Sequence, residues 1–249
     1  MAIVRLELAQ RRRIASLYAG WDRELPAAYL QGHMGYALAD SITAPASAQI
    51  VVGDFCFFAG QPHAELAACA AAPIMVARSA VWESLLAAVW EGRARRHLRY
   101  SIRRAPGGFD TAKLMSLTEL PPGFTLSRID AALCEALLRE SWSRDLCALF
   151  GGGADFYRRG LGFAALYRGE PVAGASSYAV YDDGIEIEID TAPGFRRRGL
   201  AAACGARLVL ECLRRGLYPC WDAHDQRSAA LAGKLGYPAA QAYPVLLKL

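Results

Sequence analysis

Ile185-Glu186-Ile187-Glu188-Ile189-Asp190-Thr191-Ala192-Pro193-Gly194-Phe195-Arg196-Arg197-Arg198-Gly199-Leu200-Ala201 is the stretch that decides the fold. It alternates, then turns, then becomes helical. Isoleucines at 185, 187 and 189 and carboxylates at 186, 188 and 190 follow the two-residue period of a strand with one apolar and one acidic face. Pro193 and Gly194 end it. Leu200, Cys204, Leu208 and Cys212 then recur every four residues, which predicts a helix from Arg198 to Arg215 with Gly216 at its left-handed cap. Three arginines therefore sit at a helix start, where the backbone dipole already places positive charge. A local conflict of this kind marks function. A bound anion resolves it. The first-turn N–H groups have no partner inside the helix, and with Arg196, Arg197 and Arg198 they make a diphosphate site. A solvated basic loop is the competing reading, and the strand-turn-helix setting argues against it. No Gly-Lys-Ser/Thr follows, so the turn is not a nucleoside-triphosphate P-loop.

Downstream, Tyr218 to Ala223 reads as the next strand and Asp225 to Leu235 as a helix. A helix crossover between two strands makes a parallel pair, and parallel pairs are usually covered on both faces. Carboxylates facing a covered cleft raise one another's pKa, which suits acid–base work. The order of preference is Glu188, Glu186, Asp190. The alternative is the solvated face of an antiparallel sheet. Trp221, Asp222 and His224 end the second strand and are candidate acceptor contacts, although Trp221 also suits core packing.

Upstream, Phe124 to Ile129 reads as a strand, with Asp130 capping a helix through Arg139. Gly162 to Tyr167 and Val172 to Tyr181 are further strands, and Asp182-Asp183-Gly184 is a hairpin turn. Gly151-Gly152-Gly153 suits a flexible connection or a mobile acceptor loop. Ala242 to Leu249 is a final strand. In the N-terminal part, strand and helix patterns alternate: Gln49 to Phe58, Pro62 to Ala71, Ile74 to Ala77, Val81 to Gly92, and His97 to Arg103. They predict a smaller α/β domain whose role is not legible. Pro106-Gly107-Gly108 punctuates its end, and Pro121-Pro122-Gly123 sets the boundary, giving domains 1–120 and 121–249. No internal repeat is visible.

These residues also carry a resemblance. Arg196-x-x-Gly199-x-Ala201 matches the pyrophosphate signature (Gln/Arg-x-x-Gly-x-Gly/Ala) of the GNAT superfamily of N-acetyltransferases. Lys234-Leu235-Gly236-Tyr237 resembles that superfamily's Lys-Leu-Gly-Phe ending, and Gly53 to Gly60 resembles a segment of its two-part bacterial branch. The resemblance implies an α+β fold in which a mixed sheet, flanked by helices, splays between two parallel strands. It implies acetyl-CoA as cosubstrate, held by Thr191, Ala192, Arg196, Arg197, Arg198, Gly199, Leu200, Ala201, Asp225 and Ser228, with no metal. A backbone N–H near Thr191 would meet the oxyanion, and a strand glutamate would take the amine's proton. Asp225 suits a helix N-cap equally well. Ala232 stands where many relatives carry a tyrosine acid, so that role is unfilled there, and neither Tyr218 nor Tyr237 can be assumed to take it. The implied reaction is direct transfer of an acetyl group to the primary amine of a small molecule. The alternatives are an acetyltransferase acting on a protein amine and a non-catalytic acyl-CoA binder or sensor.

Composition narrows the rest. The 249 residues are 54% hydrophobic, yet no charge-free run reaches the roughly 18 residues of a membrane span. Arg5, Glu7 and Arg11-Arg12-Arg13 leave no signal-peptide core. Seven scattered cysteines without a Cys-x-x-Cys pair predict reduced thiols, a cytoplasmic setting and no zinc site. A net charge of +4 is too mild for a nucleic-acid partner. A monomer or homodimer is expected.

Overall fold

Strand and helix patterns come in the same order twice along this chain. The computed structural model describes residues 2–105 and 107–249; Pro106, the first residue of the expected punctuation, lies outside them. The described residues form two compact units, Met1–Arg99 with Ala242–Leu249, and Tyr100–Gln241. This division differs from the one expected at Pro121. The proline-glycine punctuation is local, whereas the units are set by strand pairing, and strand pairing carries the last strand back to the first unit.

The first unit holds β1 (Val4–Leu6), α1 (Ala15–Tyr18), α2 (Ala27–Leu30), β2 (Tyr36–Ala39), β3 (Ser47–Val52), β4 (Phe55–Gly60), α3 (Ala64–Ala68), β5 (Ile74–Ala77) and α4 (Ala80–Val89). Then β6 (Ala94–Ile102) crosses the division. Neighbours β1–β2, β2–β3 and β3–β4 are antiparallel, while β4–β5 are parallel. The unit is therefore mixed and mostly antiparallel, rather than the alternating α/β sheet expected. Its core gathers Phe58, Leu66, Met75, Trp82 and Leu86. Burial of Trp82 and Leu86, four apart, fixes the inward face of α4.

In the second unit α5 (Thr111–Leu117) precedes β7 (Phe124–Arg128), α6 (Ala131–Arg139), α7 (Gly153–Arg159), β8 (Gly162–Tyr167), β9 (Glu170–Tyr181) and β10 (Gly184–Thr191). Then come α8 (Leu200–Arg214), β11 (Tyr218–Ala223) and α9 (Gln226–Leu235), and β12 (Gln241–Lys248) closes the chain. β7–β8, β8–β9 and β9–β10 are antiparallel and β10–β11 are parallel. The element order of the first unit is thus repeated, although no sequence similarity between the halves announces it. The strand that would end each unit has been exchanged. β12 pairs antiparallel with β5 of the first unit, Leu246 opposite Met75. Residues Tyr100–Ile102 of β6 pair antiparallel with β11 of the second, Ile102 opposite Trp221.

α8 buries Leu200, Cys204, Leu208 and Cys212, the apolar stripe read from the sequence. It begins at Leu200 rather than Arg198 because Arg197 and Gly199 are left-handed, at φ 62° and 82°. Arg197 is not a glycine, so its conformation is held at some cost in backbone strain. Gly153 opens α7, so Gly151–Gly153 is not wholly a connecting loop. The Gly153 N–H donates to the Glu135 carboxylate, and a Cβ at Gly153 would stand 2.3 Å from the Ala131 carbonyl oxygen.

Candidate functional site

Two parallel strands part company in the second unit. β10 and β11 keep register from Gly184 opposite Tyr218 to Glu186 opposite Cys220 and no further. Beyond that point Trp221–Ala223 pair with residues of β6, while β10 continues beside β9 to Thr191. The β9–β10 register shifts at the same place, between Glu186 and Ile187, where Tyr178 is the extra residue on β9, and such irregularities raise the local twist. Past Glu186, the outward backbone groups of β10 have lost β11 as their ladder partner. Such a row accepts an extended, amide-bearing ligand as an added strand would be accepted.

Glu186 stands at the apex. It is buried, and its Oε1 accepts the Asp222 N–H at 2.7 Å. Deeper burial and this bond set it apart from Glu188 and Asp190 on the same strand. Its carboxylate holds the parting strands together, a structural duty that conflicts with proton transfer.

Glu188 and Asp190 do share a face. Their cross-strand partners are Ser176 and Gly174, and directly opposite residues lie on one side of a sheet. Ser176 Oγ donates to the Leu146 carbonyl at 2.5 Å, and a Cβ at Gly174 would stand 2.6 Å from Leu146 Cδ1. The 3-10 turn Arg144–Leu146 is therefore drawn over this face. On the opposite side, a Cβ at Gly205 of α8 would meet Ile189 Cδ1 at 3.1 Å. Both faces are covered, and Glu188 and Asp190 are half-buried rather than solvated. Burial raises the Asp190 pKa and the Asp145 carboxylate raises it further, against the Thr191 N–H and the Arg196 guanidinium, which lower it. Asp145 was not legible in the sequence. It lies in an irregular stretch between α6 and α7 with no periodic signal, and only the fold brings it to Asp190.

The arginine turn lies at the far end of β10. Arg196, Arg197, Arg198 and Gly199 are exposed and Leu200 is buried. The first bond of α8 runs from the Ala203 N–H to the Gly199 carbonyl at 3.0 Å, so the N–H groups ahead of it face outward from the helix start. No atom lies within 4 Å of a Cβ placed on Gly199 or Gly194. The Phe195 ring anchors the turn on Tyr167 and Phe124, at 5.5 and 6.1 Å. Arg196 Nε donates to the Thr191 carbonyl at 3.2 Å, and Arg198 Nη2 to that of Gly194 at 3.3 Å. The cations are thus steered by the turn's own backbone.

Other expected site residues are engaged elsewhere. The Thr191 N–H donates to Asp190 Oδ1 at 2.7 Å and the Ala192 N–H to the Val172 carbonyl at 2.9 Å, so neither is aimed at an oxyanion. Ala201 is half-buried in the first turn of α8. Asp225 caps α9, accepting the Ser228 N–H at 2.9 Å, and it pairs with Arg227 at 2.9 Å; this holds its carboxyl below the usual range. Ser228 Oγ accepts the Trp221 indole N–H at 3.1 Å, and the Trp221 ring packs on Tyr237 at 5.4 Å. Trp221 is therefore core, not an acceptor platform. Asp222 is half-exposed and His224 exposed.

Ala232 is fully buried, which leaves no opening there for a phenol or for water. Tyr237 is buried with its hydroxyl donating to the Pro219 carbonyl at 2.6 Å, and burial raises its pKa well above the ordinary value. Tyr218 Oη accepts the Ala105 N–H at 2.6 Å. Both tyrosines hold backbone. Among the described residues no group of three or more His, Cys, Asp or Glu could hold a metal ion, and no helix is long and apolar enough to cross a membrane.

A mixed sheet parted between two parallel strands, with an arginine-bearing helix start beyond the parting, is the architecture of the GNAT class. The chain belongs to the GNAT acetyltransferase family, whose model matches residues 15–246. It is similar to a solved GCN5-related N-acetyltransferase-like protein from Streptococcus suis, at 40% identity and a TM-score of 0.91, covering 97% of this chain and 99% of that one. It is also similar to the uncharacterised N-acetyltransferase YdfB of Bacillus subtilis, 28% identical over 153 residues. That match takes in 58% of this chain and only 56% of the relative's length. A tandem GNAT protein from the clavulanic acid biosynthesis pathway shares the fold at 10% identity and a TM-score of 0.57, over 99% of this chain and 98% of that one.

Proposed function

We propose that this chain is an acetyl-CoA-dependent N-acetyltransferase that transfers the acetyl group directly to the primary amine of a small molecule. The observation that carries the reading is the parting of β10 from β11 after Glu186, with the arginine turn at one end and two carboxylates on the covered face. Arg196, Arg197, Arg198 and the first N–H groups of α8 would hold the diphosphate of the cosubstrate. The outward backbone of β10 beyond Glu186 would bind its amide-bearing arm.

Glu188 is the preferred base. It is half-buried, it faces the turn Arg144–Leu146, and it is not needed to join the strands as Glu186 is. It would take the proton of the acceptor ammonium, and the freed amine would attack the thioester carbonyl. Asp190 and Asp145 make the same face electronegative, which favours a cationic amine. With Tyr218 and Tyr237 both bonded to backbone, solvent would protonate the departing thiolate.

Glu188→Gln should keep acetyl-CoA affinity and lower turnover about 10²–10⁴-fold, the usual worth of general-base assistance. Calorimetry and a thiol-release assay with a panel of amines measure the two separately. Wild-type turnover in Glu188→Gln and in Asp190→Asn would remove the base from this face. Gly199→Glu sets a carboxylate against the diphosphate; unchanged acetyl-CoA binding in that folded variant would overturn the assignment of the turn.

A further inference from the structure

The two units repeat one order of strands and helices, so each has a place where a cofactor cleft would lie: β10–β11 in the second, β4–β5 in the first. We infer that the cleft of the first unit is sealed and that the chain binds a single CoA, in the second unit only. This rests on the reading of the second unit as the cofactor-binding one.

Four observations on the first unit agree. The parallel pair β4–β5 does not part. All four residues of β5 keep register with β4, from Ile74 opposite Phe55 to Ala77 opposite Phe58, and the Arg78 N–H continues the ladder to the Phe58 carbonyl at 3.0 Å. With both strands' facing groups bonded to each other, nothing is left for an amide-bearing arm. The end of the pair is also plugged. Trp82, fully buried, donates its indole N–H to the Gly60 carbonyl at 2.9 Å and packs on Phe58 at 5.2 Å.

The turn after β4 is the third observation. Only Gln61, Pro62 and His63 link β4 to α3, with no arginine, and α3 is five residues long against fifteen for α8. One N–H of its first turn is already served, because His63 Nδ1 accepts that of Leu66 at 3.3 Å. The arginine charge and the long helix of a diphosphate site are both missing from this turn. The fourth observation is the strand itself. Phe55-Cys56-Phe57-Phe58-Ala59 is buried throughout and carries no carboxylate. Its one titratable side chain, Cys56, is pushed up to about 12 by burial and points its thiol at the Ala72 and Ile74 carbonyls. The apolar packing that stabilises this unit occupies the space a cofactor would need.

The end of β6, Tyr100–Ile102, belongs to the second unit and pairs there with β11.

Calorimetric titration of the full chain with acetyl-CoA tests this, together with amide hydrogen exchange with and without the same ligand. One site per chain is expected, with new protection in 186–201 and 218–232 and none in 55–78. Gly199→Glu should remove all binding. Two sites per chain, or protection within 55–78, would overturn the sealed-cleft inference while leaving the proposed function standing. Binding that survives in Gly199→Glu, with one site and protection only in 55–78, would assign the cofactor to the wrong unit and overturn both. No binding to the wild-type chain would also overturn both.

Discussion

Replacing Glu186 separates the side chain that holds the cleft open from the one that performs chemistry in it. Glu186 Oε1 accepts the Asp222 N–H at 2.7 Å, two residues past Cys220 in the last register pair of β10 and β11. Glu186→Ala leaves that N–H without its partner, which costs about 1–3 kcal/mol. It also removes one buried methylene at about 0.8 kcal/mol. Relief from burying a carboxylate offsets part of this. The net destabilisation is about 1–3 kcal/mol. At roughly 2–4 °C per kcal/mol for a chain of this size, Tm should fall by about 2–12 °C. Glu186→Gln keeps an oxygen acceptor of the same shape, so its Tm should stay within a few degrees of wild type and its turnover near normal. Thermal unfolding by circular dichroism gives the first quantity, and thiol release with a saturating amine gives the second. If Glu186→Gln lost most turnover at wild-type Tm and wild-type acetyl-CoA affinity, Glu186 would be the base and the structural reading would fail. An unchanged Tm in Glu186→Ala would show that the contact does not hold the strands.

Asp190 carries a pH signature. Burial raises its pKa, so its ionised form is disfavoured in the folded state. Its stabilising contribution is present below the ordinary carboxylate range and is lost as pH rises through the raised value. Asp190→Asn should therefore be neutral or mildly stabilising at pH 7, and it should flatten the acidic rise in KM for a cationic amine; an unchanged KM profile would remove Asp190 from acceptor binding. A fragment spanning 94–241 should bind acetyl-CoA, whereas 121–249 should not. The shorter piece loses Tyr100–Ile102 beside β11 and also α5, whose buried Leu114 belongs to the unit; equal binding by both fragments would contradict the strand exchange. Ala232→Tyr should overpack the core and cost about 1–3 kcal/mol or more; a variant of wild-type Tm with raised turnover would show that the position is open after all.

Much of the second unit was legible because its signals are local. The alternation of 185–190, the hairpin turn at 182–184, the Asp130 cap and the four-residue stripe of α8 each depend on side chains within a few positions of one another. The arginine turn was legible for the same reason. The charge conflict with the helix dipole arises within Arg196–Leu200, and the left-handed Gly199 follows from its lack of a Cβ. Most segments of the first unit were also readable as elements, apart from the small ones ahead of Ser47. That they repeat the order of the second was not, because an order of elements can survive after the residues that specified it have changed.

What the tertiary structure decided is which backbone each strand meets. β6 and β12 both read as plain strands, and nothing in 94–102 or 241–248 states that one pairs with β11 and the other with β5. Period two tells which residues of a strand share a face but not what lies across from them. Burial and the bond to the Asp222 N–H then made one of three similar carboxylates a strand tie, while Glu188 and Asp190 lie beneath the turn at Leu146. Local chemistry could name the three acids. Only non-local packing, which sets burial and hydrogen-bond partners, could divide their duties.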